Sequence, residues 1–231
     1  LDVPFIFKHI FSHEGVLVFK ENLSANISNV DPAYRKVGRY GVSTISAVNK
    51  IQECRALDPG NKAKLSAKLV NEFVVQSRKI IEEHKINKSR RNEYLLAANA
   101  VIPRDAGTFI PELPKISGWG AIVSANYAVG IAKIAGMNII PLKQNEIREH
   151  DIYKYIFKSL KEKIKTFKKE VKEGFLFDRY LIHFDEIDVC GHDNKPKEKK
   201  KMIELIDNKL LKFMRKIDDF SLSKGSLIVV F

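Results

Sequence analysis

The sequence predicts an α/β protein: a mixed α+β unit followed by part of a parallel sheet with covering helices. Strand-type apolar runs and one long helical repeat are interspersed in residues 1–145, which is typical of a mixed unit. In residues 146–231, helix, strand, helix and strand signals alternate, and this order is typical of a parallel sheet. The composition changes between Pro141 and Asp151. We therefore predict two domains, residues 1–145 and residues 146–231.

The elements of the first domain follow from apolar spacing and from turn residues. Apolar residues return at helical intervals between residues 61 and 84, after the turn at residues 58–60, so a helix is predicted there. The residues that carry this spacing are Leu65, Leu69, Phe73 and Ile80. The other predicted elements are strands at residues 3–11, 16–19 and 121–123, a loop, short helix and strand within residues 87–109, and a helix at residues 127–135 that Gly136 ends.

The second domain contains two amphipathic helices, each followed by a predicted strand. Apolar residues recur at intervals of three or four in both helices, and Gly174 ends the first. The apolar positions are Ile152, Ile156, Leu160, Ile164, Phe167 and Val171, then Ile203, Ile206, Leu210, Met214 and Ile217. The predicted strands are residues 180–187 and 227–231. We expect most of the lysines of these helices, around Lys165 and Lys200, to form solvated faces.

Composition and charge exclude several classes of protein. Of the 231 residues, 45% are hydrophobic, which indicates a globular chain with a sizeable core. No apolar run approaches the ~20 residues that span a bilayer, so no membrane partner is expected. Two distant cysteines, Cys54 and Cys190, favour a cytoplasmic location. The net charge of +12 is compatible with nucleic acid, an acidic membrane or an anionic metabolite. The sequence has no helix-turn-helix, RNP or zinc-finger signature, so nucleic acid is not favoured.

Asp188 and His192 are the candidate metal ligands. They lie four residues apart after an apolar run, and Gly191 supplies a turn that would let both side chains converge on one ion. An oxygen and an imidazole nitrogen suit manganese, zinc or iron better than calcium. The alternative is a strand-to-helix turn in which Asp193 or Asn194 caps the next helix and His192 is polar surface. The spacing by itself leaves both interpretations open.

Ten segments in the same order resemble the archaeal type of cofactor-independent phosphoglycerate mutase, within the alkaline phosphatase superfamily. They are residues 23–24, 28–34, 57–58, 70–73, 84–90, 98–99, 104–107, 130–131, 135–137 and 188–193, and the likeness extends over about residues 15–231. The resemblance implies a substrate-binding first domain and a partial, phosphatase-like metal-binding second domain. It implies interconversion of 3-phosphoglycerate and 2-phosphoglycerate through a phosphoserine in glycolysis and gluconeogenesis, with a divalent metal, manganese, as cofactor.

The resemblance also assigns roles to individual residues. Asp188 and His192 are implied as ligands of one metal. Asp31 is implied as the acid or base that moves a proton of a glycerate hydroxyl, although Asp-Pro is also a common turn opener. The implied substrate-binding residues are Arg90, Arg104, His84, Asn87 and Asn99. Because guanidinium suits bidentate contact with phosphate or carboxylate, we expect Arg90 and Arg104 to line one anion pocket.

The sequence departs from the family in ways that affect its expected activity. The catalytic serine with its companion Asp, and a downstream Asp-His-Ser segment, have no counterpart in it. Asp185 stands where the family has a lysine, two residues after His183, and puts negative charge beside the expected phosphate. We therefore expect this chain alone to bind manganese weakly and to show no turnover. The alternatives are an inactive paralogue that acts as a binding or scaffold protein, and a basic nucleic-acid-associated protein; a homo-oligomer stays open.

Overall fold

The structure, a computed structural model, describes residues 2–11, 13–38, 40–44, 50–143 and 152–218. It divides into two compact units, Leu1–Pro111 and Glu112–Phe231. The strand predicted at residues 227–231 lies outside the described residues, as do the residues around the predicted domain boundary.

Two antiparallel hairpins and two helices make up the regular part of the first unit. The hairpins are β1 (Phe5–Phe11) with β2 (Glu14–Phe19) and β3 (Tyr34–Val37) with β4 (Tyr40–Ser43), and the helices are α1 (Asn61–Glu83) and α2 (Lys85–Asn92). The first hairpin and α1 confirm the predicted elements. The β3–β4 hairpin was not predicted, and the strand expected within residues 87–109 is wrong, since residues 93–118 contain neither helix nor strand.

Small residues on one face of α1 form much of the core of the first unit. Ala67 and Val70 are buried and pack with Ile27, Val30 and Cys54. Two of the apolar residues whose spacing predicted this helix were expected to be buried but are exposed. They are Leu65, 38% exposed, and Ile80, 69% exposed. The helix was therefore predicted correctly and its buried face only in part.

A parallel sheet of three strands, in the order β6-β5-β7, forms the centre of the second unit. Its strands are β5 (Trp119–Ile122), β6 (Asn138–Ile139) and β7 (Arg179–Ile182), and its helices are α3 (Asn126–Ile134), α4 (Ile152–Lys172), α5 (Glu186–His192), α6 (Pro196–Ile206), a π-helical segment (Asp207–Leu211) and α7 (Lys212–Asp218). The predicted α/β class, with a parallel sheet and covering helices, is confirmed. None of the described helices combines the length and apolar character needed to cross a bilayer.

The pairing of β5 explains why the second compact unit begins before the predicted domain boundary. β5 pairs in parallel with β6 on one side and with β7 on the other. Strands on both sides of residue 145 therefore lie in one sheet, and the compact unit starts at Glu112. The assignment of a substrate-binding role to residues 1–145 and a metal-binding role to residues 146–231 stays a prediction.

The core of the second unit confirms the apolar face of α4 and corrects two details. Leu160 and Ile164 of α4 are 0% and 4% exposed, and each buried aliphatic side chain contributes about 1.5–3 kcal/mol. Lys163 lies on the same face and is fully buried, so it is an exception to the solvated lysines expected for these helices. In α6, Met202 is buried whereas Ile203, which was expected to face inward, is 49% exposed.

Both cysteines are buried thiols, and burial raises the pKa of each above its usual range. Because the thiolate is the reactive form, a raised pKa and an enclosed sulfur both slow attack on an external disulfide. We expect Cys54 and Cys190 to react slowly with a disulfide reagent at pH 8 in the native protein, and both to react at once in guanidinium. Rapid reaction of either thiol before unfolding, measured by absorbance, would show that its burial is wrong.

Candidate functional site

Asp31 and Arg104, which lie far apart in the sequence, meet in the first unit. Asp31 Oδ2 lies 3.5 Å from Arg104 Nη1, and Asp105 Oδ2 lies 3.5 Å from Arg104 Nε. The guanidinium carbon of Arg104 is 3.7 Å from the centre of the Tyr34 ring. We call Asp31, Tyr34, Arg104 and Asp105 the Arg104 cluster. It combines a partly exposed cation with a carboxylate that is predicted to exchange a proton with substrate.

The turn that starts at Asp31 sets the position of this carboxylate. Asp31 Oδ1 accepts a hydrogen bond from the backbone N–H of Ala33 at 2.9 Å, which is the local turn that an Asp-Pro sequence favours. The backbone N–H of Val30 donates to the carbonyl of Pro103 at 3.0 Å. This hydrogen bond holds the segment that contains Arg104 next to the Asp31 turn. The turn interpretation of Asp31 is thus correct, and it leaves the other carboxylate oxygen beside Arg104.

Asn87 and His84, two of the predicted substrate ligands, use their side chains within the fold. Asn87 is 4% exposed, and its amide donates to the carbonyls of Ile81 and Ala98 at 2.7 and 2.6 Å. Its Oδ1 accepts from the N–H of Ala98 at 2.9 Å. His84 is the N-cap of α2, where Nδ1 accepts from the N–H of Ile86 at 3.3 Å. Both arrangements match what helix ends and turns require.

Arg90 and Asn99 are both exposed. The hydrogen-bond partner of Arg90 is not one of the residues that Arg104 contacts. Arg90 Nε donates to the carbonyl of Leu96 at 2.7 Å, which uses one of its five donors. Asn99 lies in the segment that follows α2. The expectation that Arg90 and Arg104 line one anion pocket stays a prediction, as do the binding roles of Asn87, His84 and Asn99.

A buried cation lies at the carboxyl ends of β5 and β7 in the second unit. Lys163 of α4 is 0% exposed, and its Nζ donates to the carbonyl of His183 at 2.7 Å, to Asp185 Oδ1 at 2.5 Å and to Glu186 Oε2 at 3.0 Å. All three donors of the ammonium therefore have partners. We call Lys163, Asp185 and Glu186, with Ser124 and Ser159, the Lys163 cluster.

Two serines complete the Lys163 cluster. Ser124, just after β5, donates to Asp185 Oδ1 at 3.1 Å, and Ser159 donates to Glu186 Oε1 at 2.6 Å. Burial raises the pKa of Glu186, and the neighbouring Lys163 ammonium opposes this effect. Ligand sites of parallel α/β sheets lie outside the carboxyl ends of the strands, which is where Ser124 and Asp185 are found.

The negative charge of Asp185 is compensated, contrary to the expectation from sequence. The carboxylate accepts from an ammonium group that comes from α4 rather than from its own strand. Coulomb attraction at this separation is large in a poorly solvated site, so Asp185 is a fixed partner of Lys163 and not an isolated anion. The neighbouring imidazole of His183, 3.7 Å from Asp185 Oδ1, contacts the Tyr127 ring edge to face.

Asp188 and His192 lie on the exposed surface of α5, not at the end of a strand. β7 ends at Ile182, four residues earlier than the start of α5 at Glu186, so the predicted strand at residues 180–187 is too long. The two side chains still converge, because residues four apart share a helix face: His192 Nε2 lies 3.3 Å from Asp188 Oδ2. Their side chains are 76% and 79% exposed.

This pair supplies the right donor types for a divalent metal but only two of them. A transition metal in a protein takes four or more ligands, which are partly waters in a catalytic site. In the part of the chain that the structure describes, no group of three or more His, Cys, Asp or Glu side chains is arranged to hold a metal. The role of Asp188 and His192 as metal ligands stays a prediction, and it requires further ligands from outside this pair.

Sequence reasoning missed Lys163 and Tyr34, and it considered Ser124 only as an alternative nucleophile. Lys163 had a signal, since it lies three residues after Leu160 and four before Phe167 and so falls on the apolar face of α4. A lysine at such a position needs a carboxylate partner. Ser124 follows a buried strand, and Tyr34 ends the Asp31 turn, but neither position distinguishes a functional side chain from an ordinary one.

Two family models match the chain. The model of 2,3-bisphosphoglycerate-independent phosphoglycerate mutase matches residues 1–87, and the model of the metalloenzyme superfamily matches residues 115–229. The second match covers the parallel sheet, the Lys163 cluster and the Asp188–His192 pair. Membership of that superfamily implies a divalent metal in the whole protein.

Named relatives agree with the first model. The 2,3-bisphosphoglycerate-independent phosphoglycerate mutase of Methanobrevibacter smithii is 31% identical over 94% of this chain and 49% of its own length, and that of Methanosphaera stadtmanae is 30% identical over 96% and 50%. The chain spans about half the length of the curated relatives it matches. A solved structure, the cofactor-independent phosphoglycerate mutase from Thermoplasma acidophilum, aligns with a TM-score of 0.43 at 18% identity over 89% of this chain and 50% of that one. By its sequence matches, the chain belongs to the 2,3-bisphosphoglycerate-independent phosphoglycerate mutase family.

Proposed function

We propose that this chain is part of a phosphoglycerate mutase, and that its first unit binds phosphoglycerate at the Arg104 cluster. The whole protein would interconvert 3-phosphoglycerate and 2-phosphoglycerate through a phosphoserine, in cytoplasmic glycolysis and gluconeogenesis. The observation that supports the proposal is the meeting of Asp31 and Arg104 in a chain of this family. A phosphoglycerate carries phosphate, carboxylate and hydroxyl groups. A site for it therefore needs one group that binds anions and one group that exchanges a proton with the hydroxyl.

The chemistry of the cluster suits such a substrate. A guanidinium presents donors in a planar fork that matches the oxygens of a carboxylate or phosphate. Arg104 is 40% exposed, so an anion has access to it. Asp31 Oδ2 lies beside the same guanidinium, within reach of a hydroxyl on a ligand that Arg104 holds. In this proposal Asp31 accepts the proton of the glycerate hydroxyl as its oxygen bonds to the phosphorus of the phosphoserine and the bond from phosphorus to the serine oxygen breaks. Asp31 returns the proton to the glycerate oxygen when the phosphoryl group moves back to the serine.

The proposed metal ligands of the chain are Asp188 and His192, with manganese as the metal. A bound divalent metal supplies Lewis-acid stabilisation of phosphoryl oxygens. The contribution of this chain is a carboxylate oxygen and an imidazole nitrogen on one face of α5. Two exposed ligands give weak binding, so we expect manganese to be held weakly by the 231-residue chain alone.

Binding of 3-phosphoglycerate to the 231-residue chain, measured by titration calorimetry, tests the proposal. Loss of charge-assisted hydrogen bonds costs about 1.5–3 kcal/mol, so we expect Arg104→Ala to weaken binding by about 10- to 100-fold. Arg55→Ala is the matched control, because it removes an exposed arginine from the same unit. We expect this variant to bind as the unchanged chain does.

Two results would contradict the proposal. One is an affinity of Arg104→Ala equal to that of the unchanged chain, and the other is no binding by the unchanged chain at millimolar ligand. Arg90→Ala decides the role of the second guanidinium. A loss of affinity would place Arg90 in the anion site with Arg104, and an unchanged affinity would remove it from the site.

A further inference from the structure

Arg104 is held in place by an aromatic ring and by two carboxylates at moderate distance. Its guanidinium carbon lies 3.7 Å from the centre of the Tyr34 ring, and the carboxylates of Asp31 and Asp105 approach to 3.5 Å. Charge-assisted hydrogen bonds between nitrogen and oxygen are normally about 2.7–2.9 Å long. The position of the guanidinium therefore depends on the contact with the face of the Tyr34 ring more than on tight hydrogen bonds.

The backbone around the cluster fixes Tyr34 and Arg104 relative to each other. Asn29 is 7% exposed, its Oδ1 accepts from the N–H of Asp105 at 3.0 Å, and its Nδ2 donates to the carbonyl of Tyr34 at 3.2 Å. One buried amide thus joins the residue that supplies the ring to the residue that follows Arg104. The Asn29 side chain therefore links the backbone segments that carry the Tyr34 ring and the Arg104 guanidinium.

Asp105 has a strained backbone, which indicates that the surroundings determine its conformation. Its φ is +58°, in the left-handed region that costs a residue other than glycine about 1–2 kcal/mol. The carboxylate lies against the backbone of Gly41 in β4, where a Cβ would collide with it. A conformation of this kind persists only where neighbouring contacts hold it. The backbone that follows Arg104 is therefore held in one conformation.

We propose that Tyr34 is a positioning residue for anion binding by Arg104. Its ring contacts one side of the guanidinium, so that the donors not directed at Asp31 and Asp105 are already oriented when the carboxylate or phosphate of the substrate arrives. Preorganisation of this kind raises affinity because less side-chain freedom is lost on binding. This inference rests on the proposed function, in which Arg104 binds phosphoglycerate.

The test compares Tyr34→Phe, which keeps the ring, with Tyr34→Leu, which keeps bulk without a ring. Cation–π contact at a partly exposed site is worth about 0.5–1 kcal/mol, and preorganisation adds to it, so we expect Tyr34→Leu to weaken 3-phosphoglycerate binding by about 3- to 10-fold. Tyr34→Phe is expected to bind within two-fold of the unchanged chain. The N–H signal of the Arg104 side chain, followed by NMR, should be shifted by the ring current in the unchanged chain and in Tyr34→Phe, and should move in Tyr34→Leu.

The outcomes separate this inference from the proposed function. Equal affinities of Tyr34→Leu and the unchanged chain would overturn the positioning role, even if Arg104→Ala abolishes binding. An equal loss of affinity in Tyr34→Phe would also overturn it, because the hydroxyl and not the ring would then be responsible. If Tyr34→Leu does not fold, the NMR signal of the unchanged chain decides: an Arg104 signal without a ring-current shift contradicts the stacked geometry. Failure of the unchanged chain to bind would contradict the proposed function alone.

Discussion

Lys163→Met is expected to lower the free energy of unfolding by about 3–5 kcal/mol, which is the cost of leaving a buried ion pair with one partner. Lys163 is 0% exposed, and its ammonium contacts Asp185 and Glu186. Without it, two carboxylates share a poorly solvated site. Methionine fills similar volume, so the loss reports the charge and the hydrogen bonds rather than a cavity. Guanidinium unfolding followed by circular dichroism measures the change.

Lys158→Met is the matched control for this prediction. Lys158 is exposed on the same helix, so its substitution is expected to change stability by no more than about 0.5 kcal/mol. Adding Asp185→Asn and Glu186→Gln to Lys163→Met removes the unpaired charges and should restore much of the lost stability. A single Lys163→Met variant as stable as the unchanged protein would show that the ammonium is not enclosed as described.

The helices of this protein were predicted better than the faces they bury. The period of three to four apolar residues predicted α1 and α4, because that spacing is a local property of the sequence. It did not show that Ala67 and Val70, rather than Ile80, would be buried, since the contacts that bury them come from Ile27 and Val30 in another part of the chain. The local spacing of apolar residues predicts the helix, whereas contacts with distant parts of the chain determine which face of the helix is buried.

The end of β7 shows why the site was harder to predict than the fold. The β-favouring residues 180–182 predicted a strand that runs to residue 187, yet Glu186 begins a helix in which it is buried against Lys163. That contact joins residues 23 positions apart, and no short motif encodes it. The pairing of Asp31 with Arg104 was not predicted. The family resemblance assigned a role to each residue separately, and nothing in either segment indicates the other.

Asn87→Ala is expected to lower the free energy of unfolding by about 2–4 kcal/mol, because truncation removes three buried hydrogen bonds and leaves backbone groups without partners. The amide bridges the carbonyl of Ile81 at the end of α1 and both backbone groups of Ala98. The resemblance implied Asn87 as a substrate ligand, and the same side chain cannot be released to a ligand without breaking these bonds. Thermal unfolding and 3-phosphoglycerate titration on one sample measure both effects.

Asn99→Ala separates a structural asparagine from a binding one. Asn99 is exposed and carries the same amide, so its removal is expected to change stability by no more than about 0.5 kcal/mol. If Asn87 acts through the fold, Asn87→Ala loses stability, while its folded fraction binds 3-phosphoglycerate with nearly the original affinity. If Asn87 also contacts the ligand, the affinity of the folded protein falls by about ten-fold or more in addition to the loss of stability, since a hydrogen bond to a charged group is worth about 1.5–3 kcal/mol. The second result would mean that the Asn87 amide leaves Ile81 and Ala98 when substrate binds, and that α2 moves with it.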